Sequence, residues 1–303
     1  MSRGLHSLQT GSVSANGQRF HFFSQGQGPL LLCLHGFPDH AQSFKPQLEA
    51  FSALGFRAVA PAMRGYAPNP LPTPANFQTA TLALDVVGLI DALGDGPAVL
   101  VGHDWGAHAA YGAAVLAPEK VAGLITLAVP YGPGFRNALL IDAQQQRRSW
   151  YMFFFQTPIA VRAFAHNDFA FVEQLWADWS PGWEPEPVTM RALRASFAAP
   201  GVAEAVLSYY RDALMSERKL PALAAIQARL GRDPVHVCAL YLHGENDGCI
   251  SASTGAGMEQ LFPNGLRRLV VAGAGHFLHL EQPGLVNDHI ARYLLGDRPL
   301  PTS

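Results

Sequence analysis

The chain has 303 residues, of which 49% are hydrophobic and 15% are charged, a composition typical of a folded protein with a large core and not of a disordered one. The formal net charge of −2 gives no electrostatic basis for binding nucleic acid or an anionic membrane. No apolar run approaches the roughly 18 residues of a membrane-spanning helix, and residues 1–18 contain no apolar core of a secretory signal.

Cysteine spacing bears on the cellular compartment. The three cysteines, Cys33, Cys238 and Cys249, have neither metal-ligand nor redox spacing. Cys33 and Cys238 lie in apolar runs and are interpreted as small buried side chains. We therefore expect a reducing environment and a cytoplasmic protein.

Strands and helices alternate in the first half of the chain. Polar and apolar residues alternate around Asn16-Gly17, a strong hairpin signal, which predicts antiparallel strands over residues 11–15 and 18–23. Residues 29–36 form a continuous apolar run ending in glycine, as in strands buried on both faces of a parallel sheet. The predicted elements that follow are helix 41–55, strand 56–62, helix 76–94, strand 97–104, helix 105–117 and strand 121–129.

This alternation stops near Pro130 and resumes after a helical segment. Residues 135–225 are rich in aromatic side chains, have helical spacing and contain no buried-strand run. Strands 236–244 and 266–273 and helix 282–296 complete the pattern. We expect one α/β domain with a mostly parallel sheet. The helical insertion follows a strand, at the edge where such folds bind ligands.

Residues 102–106, GHDWG, have the small-x-nucleophile-x-small spacing of a nucleophile elbow, between a predicted strand and a predicted helix. Small residues are needed there because larger side chains would collide with the neighbouring strand or helix. The central Asp104 carries a carboxylate, which can attack a strained or activated carbon without a base and form an alkyl ester. The alternative is an ordinary turn in which Asp104 caps the helix.

Two later turns supply a base and an acid. His276, in the motif GAGH after the last predicted strand, can activate a water that attacks the ester. Asp247, in the motif GEND, can orient the imidazole and stabilise its charged form. The order Asp104, Asp247, His276 is that of nucleophile, acid and histidine in elbow hydrolases. Glu245 competes for the acid role, and a surface turn is the alternative for its segment.

The turn at residues 35–38, HGFP, follows the first predicted parallel strand. Backbone N–H groups at such a turn, together with the N–H after the nucleophile, can stabilise a negatively charged oxygen. The oxyanion hole is therefore assigned to the N–H groups of Phe37 and Trp105. Because the donors are backbone atoms, the side chains contribute little to that role.

The motifs HGFP, GHDWG, GEND and GAGH, in this order and spread over nearly the whole chain, resemble those of the epoxide hydrolases of the α/β-hydrolase fold. The resemblance implies a mostly parallel eight-stranded sheet flanked by helices, with a helical cap inserted after the sixth strand. It places the core at residues 1–134 and 226–303 and the cap at residues 135–225. The implied reaction converts an epoxide to a vicinal diol through an alkyl-aspartyl ester and a His-activated water.

The resemblance also implies two donors in the cap. Epoxide hydrolases carry two lid tyrosines that donate hydrogen bonds to the epoxide oxygen, and the matching segments place them at Tyr151 and Tyr210. Such donors lower the cost of charge on a poor alkoxide leaving group. Tyr209 competes for the second position, and simple packing in the cap is the alternative for each. Phe37, Trp105 and both tyrosines are the expected substrate contacts.

Other functions remain open from the motifs alone. Haloalkane and haloacid dehalogenases share the aspartate nucleophile and histidine base, but the cap shows no obvious second halide-binding tryptophan beside Trp105. A binding protein without activity would not need Asp104, Asp247 and His276 together. The spacing of His276 and His279 suggests a metal pair, yet no HExxH or matching carboxylate pattern accompanies it, so we expect neither metal nor organic cofactor.

The expected partners follow from the same reasoning. A small epoxide and water are the reactants, and neither nucleic acid nor a membrane span is expected. The chain is expected to be a monomer or a homodimer.

Overall fold

The computed structural model describes residues 8–296. The first seven residues, which belong to the segment predicted to lack a secretory signal, and the last seven residues of the expected core lie outside the described residues. Within residues 8–296, no helix is both long enough and apolar enough to cross a membrane.

Eight strands form one sheet in the order β1-β2-β4-β3-β5-β6-β7-β8. Only the pairings of β2 with β1 and with β4 are antiparallel. The strands are β1 (Gln9–Ala15), β2 (Gln18–Gln25), β3 (Leu30–Leu34), β4 (Arg57–Pro61), β5 (Ala98–His103), β6 (Val121–Leu127), β7 (Ala239–Gly244) and β8 (Leu266–Val271). The expectation of a mostly parallel eight-stranded sheet is confirmed.

Helices cover both faces of the sheet and build the insertion. Those of the core are α1 (Lys45–Ala53), α2 (Thr79–Leu93), α3 (Trp105–Leu116), α11 (Leu278–Glu281) and α12 (Pro283–Leu294). Those between β6 and β7 are α4 (Gly134–Ile141), α5 (Ala143–Arg148), α6 (Trp150–Phe154), α7 (Ala160–Trp179), α8 (Pro187–Phe197), α9 (Val202–Leu214) and α10 (Ala224–Arg229).

The predicted hairpin and the first predicted helix illustrate how local sequence sets the elements. Asn16 and Gly17 both have positive φ, 45° and 69°, which a two-residue turn joining twisted strands requires. Ala15 pairs with Gln18 across that turn, so the hairpin prediction is confirmed. The helix expected over residues 41–55 is a 3₁₀ turn, Ala41–Phe44, followed by α1, which begins where Pro46 is tolerated.

The core lies in two layers, one on each face of the sheet. Along β3, alternate residues point to opposite faces, so Leu32 and Leu34 belong to one apolar cluster and Leu31 and Cys33 to the other. Helices α2 and α3 cover the first face, and α1 and α12 cover the second. Because both faces are buried, the central strands have the continuous apolar runs that the sequence showed.

The insertion begins and ends at neighbouring strands. Strands β6 and β7 pair in parallel, with Leu124 opposite Ala239, although seven helices separate them in the chain. The inserted helices therefore leave and rejoin the core beside the end of β5, where Asp104 lies. Helix α10 crosses the expected boundary at residue 225, and the division into core and cap stays a prediction.

Candidate active site

The turn after β5 holds Asp104 in an unusual backbone conformation, with φ 52° and ψ −119°. A Cβ on Gly106 would overlap the carbonyl oxygen of Leu34, and one on Gly102 would lie 2.8 Å from the Cα of Ala107. A Cβ on Gly36 would overlap the Asp104 carboxylate itself. The small residues thus let the strained turn fit closely against β3. Larger side chains would collide there, as the spacing of the motif predicts.

The Asp104 carboxylate is held by backbone donors. The N–H of Phe37 donates to Asp104 Oδ1 at 2.7 Å. Burial raises the pKa of the Asp104 carboxyl, while His276 and the N–H groups of Phe37 and Trp105 act in the opposite direction. The N–H of Phe37 can therefore stabilise charge on Oδ1, and the N–H of Trp105 favours the ionised form of the same carboxyl.

His276 and Asp247 lie within hydrogen-bond distance in the buried interior. His276 Nδ1 is 2.9 Å from Asp247 Oδ2. Asp247 Oδ1 accepts the N–H groups of Cys249 at 2.7 Å and Ile250 at 2.8 Å, so both carboxylate oxygens are fixed. Burial by itself raises the pKa of Asp247, but His276 and His243 hold it well below its ordinary value. Asp247 can therefore orient the imidazole and balance its charge.

Glu245, the competitor for the acid role, has another partner. Its side chain is exposed, and Oε2 accepts the N–H of Gly273 at 3.0 Å. The contact ties together the turns after β7 and β8, whose last residues pair in the sheet. Geometry thus favours Asp247 as the partner of His276.

The opposite side of the His276 ring faces the nucleophile. His276 Nε2 lies 3.9 Å from Asp104 Oδ2 and has no hydrogen-bond partner among the described residues. Burial by itself lowers the pKa of His276, but the carboxylates of Asp247 and Asp104 raise it above the ordinary value. The ring thus has an available nitrogen beside Asp104 and can act as a base there.

The two expected lid tyrosines contact each other in the neighbourhood of Asp104. Tyr151 on α6 and Tyr210 on α9 are buried, and their ring centroids are 5.4 Å apart at a near-perpendicular angle. Burial raises the pKa of both phenols well above the ordinary value, and the charge of Asp104 raises it further. Both hydroxyls therefore keep their protons at neutral pH and can act as donors.

Tyr209, the register alternative to Tyr210, has its hydroxyl bound elsewhere. It donates to the carbonyl of Arg64 at 2.6 Å, and its ring stacks on Phe77. Tyr210 Oη has no hydrogen-bond partner of normal geometry among residues 8–296, and its ring lies 5.2 Å from that of Trp105. The available donor beside the nucleophile is therefore Tyr210.

Two residues at the site were not identified from the sequence: Trp179 in the cap and Cys249 in the core. The ring of Trp179, at the end of α7, lies 5.0 Å from that of His276 and 4.8 Å from that of Tyr151. Cys249 Sγ lies 3.3 Å from Tyr151 Oη. Long-range packing places Trp179 there, beside the ring of the expected base, and the expectation that the cap supplies no second halide-binding tryptophan stays a prediction. Tryptophan content therefore does not separate epoxide from halide chemistry in this chain.

Comparison with known proteins shows the family to which the chain belongs. A family model of the α/β hydrolase fold matches residues 29–283. Human epoxide hydrolase 4 is 31% identical over 291 residues, which span 93% of this chain and 77% of the relative. An epoxide hydrolase from Caballeronia sordidicola is 27% identical, with 93% of this chain and 92% of the relative covered.

Solved structures agree with these relatives. A putative epoxide hydrolase from Klebsiella pneumoniae superposes with a TM-score of 0.86 at 26% identity, covering 93% of this chain and 96% of that one. The Bacillus megaterium epoxide hydrolase in complex with an inhibitor gives a TM-score of 0.80 at 27% identity, covering 94% and 100%.

The fold, the elbow and these similarities define a hydrolase of the α/β class. The chain belongs to the α/β hydrolase fold family and, within it, to the epoxide hydrolases. The membership of the epoxide hydrolase family that the four motifs predicted is thereby confirmed. The relatives favour this family over the dehalogenases.

Proposed function

We propose that the chain hydrolyses uncharged epoxides to vicinal diols, with Asp104 as nucleophile, His276 as base, Asp247 as its partner, and Tyr151 and Tyr210 as donors to the epoxide oxygen. The observation that carries the proposal is the position of Asp104. Its Oδ1 accepts a backbone N–H at 2.7 Å, its Oδ2 lies 3.9 Å from the imidazole, and two buried phenols lie near enough to feel its charge.

The first step forms an ester. Asp104 Oδ2 attacks an epoxide carbon, and the bond from that carbon to the ring oxygen breaks with its electron pair moving to the oxygen. Tyr151 and Tyr210 donate hydrogen bonds to this oxygen as it gains charge, and one of them supplies the proton that converts it to a hydroxyl. The second step releases Asp104 as a carboxylic acid, and the proton it loses on ionising returns to the tyrosinate before the next turnover.

The second step releases the diol. His276 Nε2 takes a proton from a water, and the resulting hydroxide attacks the carboxyl carbon of the Asp104 ester. Charge develops on Oδ1, beside the N–H groups of Phe37 and Trp105. When the bond from the carboxyl carbon to the diol oxygen breaks, His276 returns the proton to the leaving oxygen. One epoxide and one water are consumed for each diol.

The charges around the site favour uncharged substrates. Rings of Phe37, Phe155, Trp179 and Tyr210 contact one another around the nucleophile. Of the described arginines nearby, Arg64 forms a buried pair with Asp85. Arg148 donates to the carbonyl of Asp247 at 3.0 Å. A halo-acid would bring a second carboxylate beside the buried Asp104, which is costly. The geometry thus supports epoxide hydrolysis over haloacid dehalogenation.

The source of the new diol oxygen tests the mechanism. In a single turnover with excess enzyme in ¹⁸O-labelled water, the diol should contain no label, because its new oxygen comes from Asp104 Oδ2. The label should appear in the carboxylate of the Asp104 peptide by mass spectrometry. Label in the first-turnover diol would show direct attack of water on the epoxide and overturn the proposal.

Three finer statements belong to the proposal. A cytoplasmic location is supported by the thiols of Cys33, Cys238 and Cys249, none of which forms a disulfide in the described structure. The chain is a monomer or homodimer, which light scattering after gel filtration decides.

The cap is residues 135–225, and the core is residues 1–134 and 226–303. This division predicts that a protease cuts at residues near 134 or 225 before it cuts in the sheet.

A further inference from the structure

A second group of ligand-type side chains lies buried behind the catalytic residues and has no part in the proposed reaction. It consists of Asp39, His103 and His279, all fully buried. One ligand atom from each lies within 4.8 Å of the others. The three residues come from separate segments, after β3, at the end of β5 and in α11. A carboxylate and two imidazoles have therefore been brought together in the interior by tertiary packing.

The outer polar atom of two of these side chains is fixed by hydrogen bonds. Asp39 Oδ1 accepts the N–H of His40 at 2.8 Å and the hydroxyl of Ser43. His103 Nε2 lies 2.9 Å from the carbonyl oxygen of His276, and a carbonyl can only accept, so Nε2 carries the proton. His103 Nδ1 is thereby left with a lone pair.

The inner atoms form no hydrogen bond of normal geometry within residues 8–296, although His279 Nε2 and Asp39 Oδ2 lie within ion-pair distance. Asp39 Oδ2, His103 Nδ1 and both ring nitrogens of His279 form no hydrogen bond with any of the described residues. His279 Nε2 lies 3.7 Å from Asp39 Oδ2, which exceeds hydrogen-bond distance. Buried polar atoms are costly unless something satisfies them. Asp39 Oδ2 and His103 Nδ1 both carry lone pairs and no proton, so the space between them suits a group that accepts electron pairs.

We propose that Asp39 Oδ2, His103 Nδ1 and a ring nitrogen of His279 bind a divalent cation of the zinc class. Two imidazoles with one carboxylate suit Zn²⁺ and Co²⁺, whereas Ca²⁺ and Mg²⁺ prefer oxygen ligands alone. A ligating histidine whose other nitrogen donates to a backbone carbonyl is the usual outer arrangement of such sites, and His103 has it.

The site would stabilise the segments that carry the catalytic groups. Asp39 follows Phe37 by two residues, His103 immediately precedes Asp104, and His279 follows the base by three. None of the three ligands touches the reacting atoms in the proposed mechanism. The cation is therefore structural, and it is distinct from the pairing of His276 with His279 that the sequence analysis rejected.

Metal content tests the proposal directly. Because the ligands are fully buried, the metal is supplied during expression, in medium supplemented with Zn²⁺ or with Co²⁺. We expect about one equivalent of metal per chain by elemental analysis after desalting. The Co²⁺ protein should also show visible absorption of nitrogen- and oxygen-ligated cobalt. Wild-type protein with no bound metal and no cobalt absorption would overturn the proposal, and would leave a water or a proton on His279 as the occupant.

Variants locate the metal. His279→Leu removes a ligand and retains an apolar side chain against Phe44, on which His279 stacks. It should lose the bound metal. His166→Gln removes an exposed histidine and serves as the control, which should bind as wild type does. Ser43→Ala removes a donor to Asp39 and should weaken binding about 10-fold to 100-fold. Equal metal content in wild type and His279→Leu would place the cation elsewhere.

Discussion

His276 Nε2 stands 3.9 Å from Asp104 Oδ2, which is too long for a direct hydrogen bond and short enough for one water to contact both. The same ring is fixed on its other side by Asp247 at 2.9 Å. His276 is thus held in place but is not hydrogen-bonded to Asp104. This spacing suits a mechanism in which the carboxylate attacks alone and the imidazole acts only on the ester.

Replacing His276 with glutamine should trap the ester. Without the imidazole the attacking water is not deprotonated, while alkylation of Asp104 still proceeds. Mass spectrometry after exposure to an aryl epoxide should show one substrate adduct on the peptide containing Asp104. Asp104→Asn should give no adduct, and His108→Gln, a histidine beside Trp105, should turn over without accumulation. An adduct on a different peptide would refute the assignment of the nucleophile.

The lid tyrosines should act in the first step. Tyr151→Phe and Tyr210→Phe keep the ring and remove the hydroxyl, so alkylation should slow by about 10²-fold, or about 3 kcal/mol, for each. Ester hydrolysis should change much less. Tyr209→Phe is the matched control, because its hydroxyl binds the carbonyl of Arg64. Pre-steady-state kinetics separates the two steps. Alkylation at the wild-type rate in both variants would show that the two tyrosines only pack within the cap.

Ester hydrolysis should depend on pH through His276. Only the neutral imidazole accepts a proton, so the rate should fall as pH falls through the pKa of His276. Asp247 raises that pKa, and its carboxylate persists in the ester state, whereas the charge of Asp104 does not. Asp247→Asn should therefore move the acid limb to lower pH as well as slow the reaction. Single-turnover decay of the ester across pH measures both the rate and the position of the acid limb. An acid limb at the wild-type pH would show that Asp247 does not set the pKa of His276.

Substrate charge should be discriminated strongly. An aryl epoxide should react at least about 10³-fold more efficiently than a carboxylated epoxide of similar size, because an unpaired anion beside Asp104 is costly when buried. Fluoroacetate should release no fluoride for the same reason. Competing the two epoxides in one reaction gives the ratio of kcat/KM directly. Comparable efficiency for both would reveal a cation at the site and reopen the haloacid reaction.

Activity should not depend on metal. The proposed steps use a carboxylate, an imidazole, two phenols and backbone N–H groups, which suffice for both bond changes. Protein expressed without added Zn²⁺ and dialysed against EDTA should keep its turnover number, although the buried site at Asp39 predicts a lower melting temperature for it. Turnover that returns only when metal is added would contradict the mechanism.

The sequence alone determined the features that depend on short stretches of chain. The turn at Asp104 could be predicted from neighbouring residues alone, because local crowding at a strand-to-helix turn requires the glycines on either side of it. The central strands were recognisable because burial on both faces leaves a continuous apolar run, as in β3, β5 and β7. His276 and Asp247 were predicted from short motifs, each after a strand whose carboxyl end lies at the same edge of the sheet, and their roles stay predictions.

Tertiary structure alone decided which distant side chains meet. Trp179 contacts His276 across 97 residues of chain, and His103 approaches His279 across an even longer interval. Glu245 and Asp247 are two residues apart in one turn, yet one is exposed and the other is buried against the base. Periodicity reports which face of an element is buried but not what packs on it. Those contacts depend on how the cap and the strand ends come together in three dimensions, with each pairing set by the packing of the whole core.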